Sequence, residues 1–469
     1  MSRRKMLSTL STGFGSVALL GLMGSKPFGG KVIEQLGSLG GKQPHFAPKA
    51  KSIIFLYMDG GVSQVDAFDY KPRLLKEAGE NPFDKFKVDA TQFNNYGEIM
   101  PNQWEFKQRG ESGMWMSELF PHMASCADDI AMINSMYADF PEHTNANYFL
   151  HTGIGIQGRP SMGAWITYGL GTESENLPGY VVLDGGLTPP GGLDNFKNGF
   201  LPASYQASVF KAAKTPLANI LPSEYDDQLQ LNKLKYMEQM DQSLLGKLGK
   251  ADQIESTIAN YELAYKMQTS IPELADLRGE SEATKKLYGL ESEDKHTVSY
   301  GKQCLLARRL VERGVRFIEL TCPRVYADRW DQHHDLKGGH ALNAHAVDQP
   351  IAALIKDLKV RGLFEETLLV FAGEFGRTPF SQGSGGGRDH NPSAFSIWMA
   401  GAGVKGGMVY GKTDEYGYRV IENPTSIHDM HATMLHLLGI DHVRQAYRFS
   451  GRDIRLTDVH GHVIHDILA

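Results

Sequence analysis

The run Ser52-Ile53-Ile54-Phe55-Leu56-Tyr57-Met58, followed at once by Asp59-Gly60-Gly61, decides the architecture. Its apolar residues are continuous, with no alternation of polar positions. A strand built from them must be buried on both faces, which is the condition of a parallel strand covered by helices. Asp59-Gly60-Gly61 then supplies a tight turn at the strand's carboxyl end, where open α/β sheets place their ligands. Comparable runs recur at Gly179-Tyr180-Val181-Val182-Leu183, Arg316-Phe317-Ile318-Glu319-Leu320, Thr367-Leu368-Leu369-Val370-Phe371-Ala372 and Ala394-Phe395-Ser396-Ile397-Trp398-Met399. Helical patterns lie between several of them, from Cys304 to Glu312 and from Val347 to Val360. This alternation predicts a mostly parallel sheet with helices on both faces. The stretch from about Leu221 to Leu290 is charged and rich in Lys, Glu, Gln, Met and Leu, and is expected to be a helical insertion over the site. Gly383 to Gly387 reads as a short flexible loop.

The 469 residues are 41% hydrophobic and 22% charged, enough to bury a large core. The net charge of -6 offers no electrostatic footprint for nucleic acid. Cys126, Cys304 and Cys322 form no C-x-x-C pair, which argues against both a disulfide framework and a thiolate metal site. Any metal would be held by carboxylates and imidazoles.

At the N-terminus, Ser2-Arg3-Arg4-Lys5-Met6-Leu7 precedes a weakly hydrophobic stretch ending near Met23, too short to span a bilayer comfortably. The paired arginine is similar to a twin-arginine signal, which sends folded proteins across a bacterial membrane. Residues 1–30 are therefore expected to be the signal, 31–48 a linker and 49–469 the folded domain. The export machinery would be a partner and the destination extracytoplasmic. No clean A-x-A site follows, so an uncleaved anchor is the alternative.

Four polar clusters follow strands or open helices. The first, Asp59 to Asp69, offers Asp59, Ser63 and Asp66; a plain strand–turn–helix junction capped by Ser63 or Asp66 would also explain it. The second, Glu142 to Gly153, carries His143, Thr144 and His151, either as chemistry or as packed imidazoles on a capped helix. The third is Asp328-Arg329-Trp330-Asp331-Gln332-His333-His334-Asp335, dense in ligands, with a solvated loop as competitor. The fourth joins Glu374 and Arg377 to Arg388-Asp389-His390, with His428 and His431 beyond; adjacent oxygen and nitrogen donors beside glycines suit an ion, or a surface turn.

Here a resemblance enters. Val347 to Gly376 is similar to the helix and strand before the metal-binding turn of sulfatases and nucleotide pyrophosphatases, with Glu374 in the aspartate slot. Phe149 to Gly153 is similar to their nucleophile helix, and Asp429 to Ile440 to their C-terminal helix. The ordered set Gly60-Gly61-x-Ser63-x-x-Asp66-x-Phe68-Asp69-x-Lys71-Pro72, Trp330-Asp331-x-His333, Gly373-Glu374-Phe375-Gly376-Arg377-Thr378-Pro379, Gly387-Arg388-Asp389-His390 and His431-Ala432-Thr433 resembles the bacterial family called domain of unknown function 1501. That family is sulfatase-like and belongs to the alkaline phosphatase superfamily, so the resemblance implies a three-layer α/β sandwich. The C-x-P-x-R motif for formylglycine is absent, since only Cys322-Pro323-Arg324 occurs, and that cofactor is excluded. The nucleophile slot falls on His143 or Thr144.

The expected activity is metal-dependent hydrolysis of phosphate or sulfate esters, on a small molecule or glycan. Asp59 or Asp66, Asp331, His333, Glu374, Asp389, His390 and His431 are the candidate ligands of one or two ions (calcium, zinc or manganese). Arg377 or Arg388 would hold the ester's oxygens through a fork of donors. The requirement is that Asp331, Glu374 and His390 lie within about 12 Å of one another, the reach of a paired-ion centre. One alternative is a binding or surface-assembly protein that keeps the fold without a nucleophile. Another is a serine hydrolase using Ser63, disfavoured because no G-x-S-x-G elbow is present.

Overall fold

In the computed structural model, residues 41–91, 93–211, 227–248, 252–325 and 329–469 are described. The signal segment, most of the linker, Asp328 and the start of the insertion lie outside them. Strand β1 (Ser52–Tyr57) occupies the middle of a nine-stranded sheet. The other strands that matter here are β2 (Ile130–Tyr137), β3 (Tyr180–Asp184), β4 (Ser208–Lys211), β5 (Phe317–Thr321), β6 (Thr367–Ala372), β7 (Phe395–Ala400) and β8 (Met408–Tyr410). Their spatial order is β8-β2-β7-β6-β1-β5-β3-β4, with Thr425–Ser426 also on β2. All pairings are parallel except those of β7, which runs antiparallel to both β2 and β6.

The absence of alternation in β1 has its expected meaning. Ile54 and Leu56 face one hydrophobic cluster, which includes Tyr300, Leu310, Val347 and Ile351 from helices Lys295–Val311 and Leu336–Val360. Ile53, Phe55 and Tyr57 face another, with Phe149, Trp165 and Met430 from helices α1 (His143–Thr152), α2 (Met162–Leu170) and α3 (Ile427–Leu437). The result is a three-layer α/β sandwich around a mostly parallel sheet, within one compact unit spanning Leu39–Ala469. The insertion contains the helices Asp227–Leu248 and Asp252–Ala275. Its second helix is tied to the last turn of Lys295–Val311 by Arg309, which donates to the carbonyls of Glu273 and Asp276. That end of the helix leads into the start of β5, so these ties lie at the opposite edge of the sheet from the turns that follow the strands. No described helix is long and apolar enough to cross a membrane.

Candidate metal centre

The site assembles where β1, β5 and β6 end. At Gly60 the backbone takes φ +108°, and an added Cβ would meet Asp331 N at 2.7 Å and Trp330 N at 2.8 Å. Only glycine permits that approach, so the loop after β5 can lie directly on the turn after β1. Gly60 N donates to Glu374 Oε1 at 2.8 Å, drawing in the turn after β6 as well. The strands Gly376–Gln382 and Arg388–Asn391 then pair antiparallel, with Arg377 opposite His390, and fold His390 back towards Asp331. Finally α1 begins at His143, its first turn capped by Glu142, which accepts from the backbone N–H groups of Thr144 and Asn145.

Three imidazoles converge on one carboxylate. His143 Nε2 lies 3.0 Å from Asp331 Oδ2; His333 Nε2 and His390 Nε2 lie 2.9 and 3.1 Å from Oδ1. Arg377 Nη2 reaches the same Oδ1 at 2.6 Å. The far sides of two of these rings are fixed by acceptors: His143 Nδ1 is 2.7 Å from Glu374 Oε1, and His390 Nδ1 is 2.6 Å from the carbonyl of Pro141. Both rings must therefore carry their proton on Nδ1, which turns Nε2 towards Asp331. This is the outer support usual for a metal-binding histidine. One ligand atom from each of His143, Asp331 and His390 falls within 4.8 Å of the other two. Glu374 Oε2 and Asp389 Oδ2 are buried without a hydrogen-bond partner.

The electrostatics separate the rings. Burial works against charge on His143, but its bonds to Asp331 and Glu374 outweigh that and raise it to about 9. Burial, aided by the positive charges of Arg377 and His143, pushes His390 down to about 4 despite Asp331. Burial opposes ionisation of Asp331 too, yet Arg377 and the three imidazoles hold it well below the ordinary carboxylate range. The protein thus presents an ionised carboxylate, one neutral ring and one ring holding a displaceable proton.

The structure brings together His143, Asp331, His333, Glu374 and His390, and the links through His143 and Asp331 keep Asp331, Glu374 and His390 well inside the required separation. Other residues expected at the site are engaged elsewhere. Asp59 accepts from Arg329 and from Cys322 Sγ at 3.1 Å. Asp66 accepts from Ser63 Oγ at 2.5 Å and Arg388 Nε at 2.7 Å, an enclosed ion pair. Arg388 also donates to the carbonyls of Thr378, Met100 and Pro101, and Arg377 to those of Gly60, Gly61 and Arg388. Both guanidiniums are fully buried, so they brace the scaffold rather than offer a fork to an ester. The Asp389 carboxylate accepts from the backbone N–H of His390 through Oδ1. His431 sits in the core against Leu150 O, at 2.8 Å. The Thr144 hydroxyl supports the Glu142 carboxylate, leaving His143 as the member of that pair at the cluster.

Sequence reading did not single out Gln382, which contacts His333, or His340, which accepts from Ser63 N at 3.0 Å while its other nitrogen is 2.6 Å from Gln332 Oε1. No local motif marks them, because each acts across a long span of chain.

The fold has distant likenesses among solved structures. PsFucS1 sulfatase from Pseudoalteromonas sp. aligns at 13% identity over 93% of this chain and 74% of its own, with a TM-score of 0.36. The phosphonate monoester hydrolase SpPMH from Silicibacter pomeroyi aligns at 12% identity over 83% and 73%, with a TM-score of 0.37. A His 135 Glu mutant of TAB5 alkaline phosphatase aligns at 9% identity over 78% and 95%, with a TM-score of 0.33. No curated protein matches the sequence. Residues 50–468 match one family profile, and the chain belongs to the family described as protein of unknown function (DUF1501).

Proposed function

We propose that this chain is an exported, metal-dependent hydrolase of phosphate or sulfate esters, with His143, Asp331 and His390 holding a divalent ion. One observation carries the reading. The Nδ1 proton of His390 is committed to Pro141 O, so the neutral ring points a lone pair at Asp331 Oδ1 from 3.1 Å. That placement turns Nε2 of His390 into the same space as Nε2 of His143 and the Asp331 carboxylate, a set of donors close enough together to share one ion. The residues fit one: two imidazoles and a carboxylate suit zinc or manganese, whereas calcium prefers an all-oxygen shell. The orphaned Glu374 Oε2, on the carboxylate that holds His143, is a further oxygen donor. A bound ion would lower the pKa of a water and neutralise charge on the ester's oxygens.

The chain's own residues orient that chemistry. Arg377 holds Asp331, while Glu374 and the Pro141 carbonyl hold the two rings. Among the described residues, no hydroxyl or thiol hydrogen-bonds to His143, Asp331, His390 or Glu374, and the reading takes water as the attacking oxygen. That same observation favours the second reading, a binding or surface-assembly protein with a structural ion.

Purified protein should contain zinc or manganese and should turn over an aryl sulfate, a phosphomonoester or a phosphodiester, with activity lost on chelation and restored by the ion. Metal retained without turnover on any of the three would hand the case to the binding protein, and absence of metal would end both readings. The Arg3-Arg4 pair supports export to an extracytoplasmic substrate; replacing both with lysine should hold the protein in the cytoplasm.

A further inference from the structure

Helix α1 carries polar residues at His143, Asn147 and His151. The spacing of four places them on one face of the helix, one turn apart. Each meets a polar group from a different part of the sheet. His143 Nδ1 pairs with Glu374 Oε1 at 2.7 Å, just after β6. Asn147 Oδ1 accepts from Tyr57 Oη, on β1, at 2.5 Å. His151 Nε2 meets Glu319 Oε1, on β5, at 2.7 Å, and Tyr180 Oη, on β3, donates to Glu319 Oε2 at 3.1 Å. Those strands are consecutive in the sheet, in the order β6-β1-β5-β3. The rungs are also linked within the helix, because His151 Nδ1 is 2.8 Å from the carbonyl of Asn147.

Tyr57, Asn147, His151, Tyr180 and Glu319 are all essentially buried. An apolar interface would bind the helix to the sheet at lower desolvation cost, but it would tolerate sliding and rotation. A ladder of directed bonds fixes one axial position and one rotation. The first rung of that ladder is the ring at the candidate metal centre. We infer that Asn147, His151 and Glu319 are positioning residues for His143: through the helix, the buried ladder sets where the His143 ring stands between Asp331 and Glu374. This rests on the metal-site reading for its purpose, though the mechanical claim stands apart from it.

The test compares Glu319→Leu, which breaks the third rung, with Glu319→Gln, which can still accept from Tyr180 and donate to His151. Two signals are read: the dissociation constant for zinc alone, by competition with a chromophoric chelator, and the ring signals of His143 in metal-free protein carrying labelled histidine, assigned with a His143→Gln variant. Glu319→Leu is expected to weaken zinc binding at least 10-fold and to move the His143 signals, with Glu319→Gln returning both to near the original. A lowered melting temperature with unchanged zinc affinity and unchanged His143 signals would overturn the inference, since the ladder would then serve stability alone. If the unaltered protein binds no zinc, the ester-hydrolase reading fails, and the His143 signals alone decide the ladder. Should Glu319→Leu not fold, Tyr57→Phe, which removes one hydroxyl at the second rung, is read by the same two signals and with the same meanings.

Discussion

Two corners of the same sheet edge hold carboxylates, Asp66 buried and Asp331 half-buried, and they are finished in opposite ways. Around Asp66 each oxygen has its donors: Ser63 and Arg388 on one, Gln103 N and Arg388 on the other. Around Asp331, Arg377 and three imidazoles crowd one carboxylate, while the neighbouring Glu374 Oε2 and Asp389 Oδ2 are left without partners. A corner that closes on itself contributes a fixed scaffold. One that leaves buried acceptors without donors has places that a cation could complete.

Breaking the closed corner should have the largest effect on stability. Asp66→Ala strands the fully buried Arg388 guanidinium, at a cost of about 3–5 kcal/mol. The urea midpoint should fall accordingly, with an unchanged slope. A shift below about 1 kcal/mol would mean that Arg388 finds water or another partner, and that this corner is less closed than its geometry indicates.

The open corner should behave in reverse. His390→Ala removes a ring that is bound to one carbonyl and faces an acceptor, so metal-free stability should change little. Zinc affinity should drop on the order of 100-fold or more. Loss of stability without loss of metal would invert the comparison and place His390 in the scaffold.

His431 offers a check on a histidine that lies outside both corners. Burial, its first cause, and the charge of nearby His428 lower it to about 3, so the folded state holds the ring neutral while the unfolded chain takes up a proton below about 6.5. Its contribution is therefore present above pH 6.5 and is lost as pH falls towards 3, amounting to about 2 kcal/mol by about pH 5. Chemical denaturation at pH 7 and pH 5 should show this loss, and His431→Gln should remove His431's share of it. An unchanged loss in that variant would place the acid sensitivity in other buried histidines.

What could be read from the sequence follows from the range over which each feature is decided. Strands β1, β5 and β6 were legible because burial on both faces leaves an unbroken apolar run. Strand β2 was not, since Asn134 and Ser135 interrupt it; they are satisfied by Ser396 and Thr425, far along the chain. The antiparallel direction of β7 was invisible for the same reason: neighbours, not composition, set it. At the site, the clusters holding His143, Asp331, Glu374 and His390 stood out by density. Which acids would be taken by arginines did not, because Asp66 and Arg388 are 322 positions apart and Asp59 and Arg329 are 270 apart. The four-residue spacing of His143, Asn147 and His151 was a legible signal for the ladder, hidden by treating the histidines as isolated candidates.

The finest distinction between the corners lies in a single proton. His143 is raised to about 9 because, metal-free, its ring is an internal cation between Asp331 and Glu374. A metal ion and that proton compete for Nε2, so binding releases the proton at any pH below about 9. The neutral His390, lowered to about 4, adds no such dependence above that value. Zinc affinity should then tighten by roughly tenfold per pH unit between about 6 and 8, one proton's worth, and level off near 9. Calorimetry in buffers of different ionisation enthalpy counts the released proton directly. A slope of zero would show His143 to be neutral already and remove the internal cation from this corner.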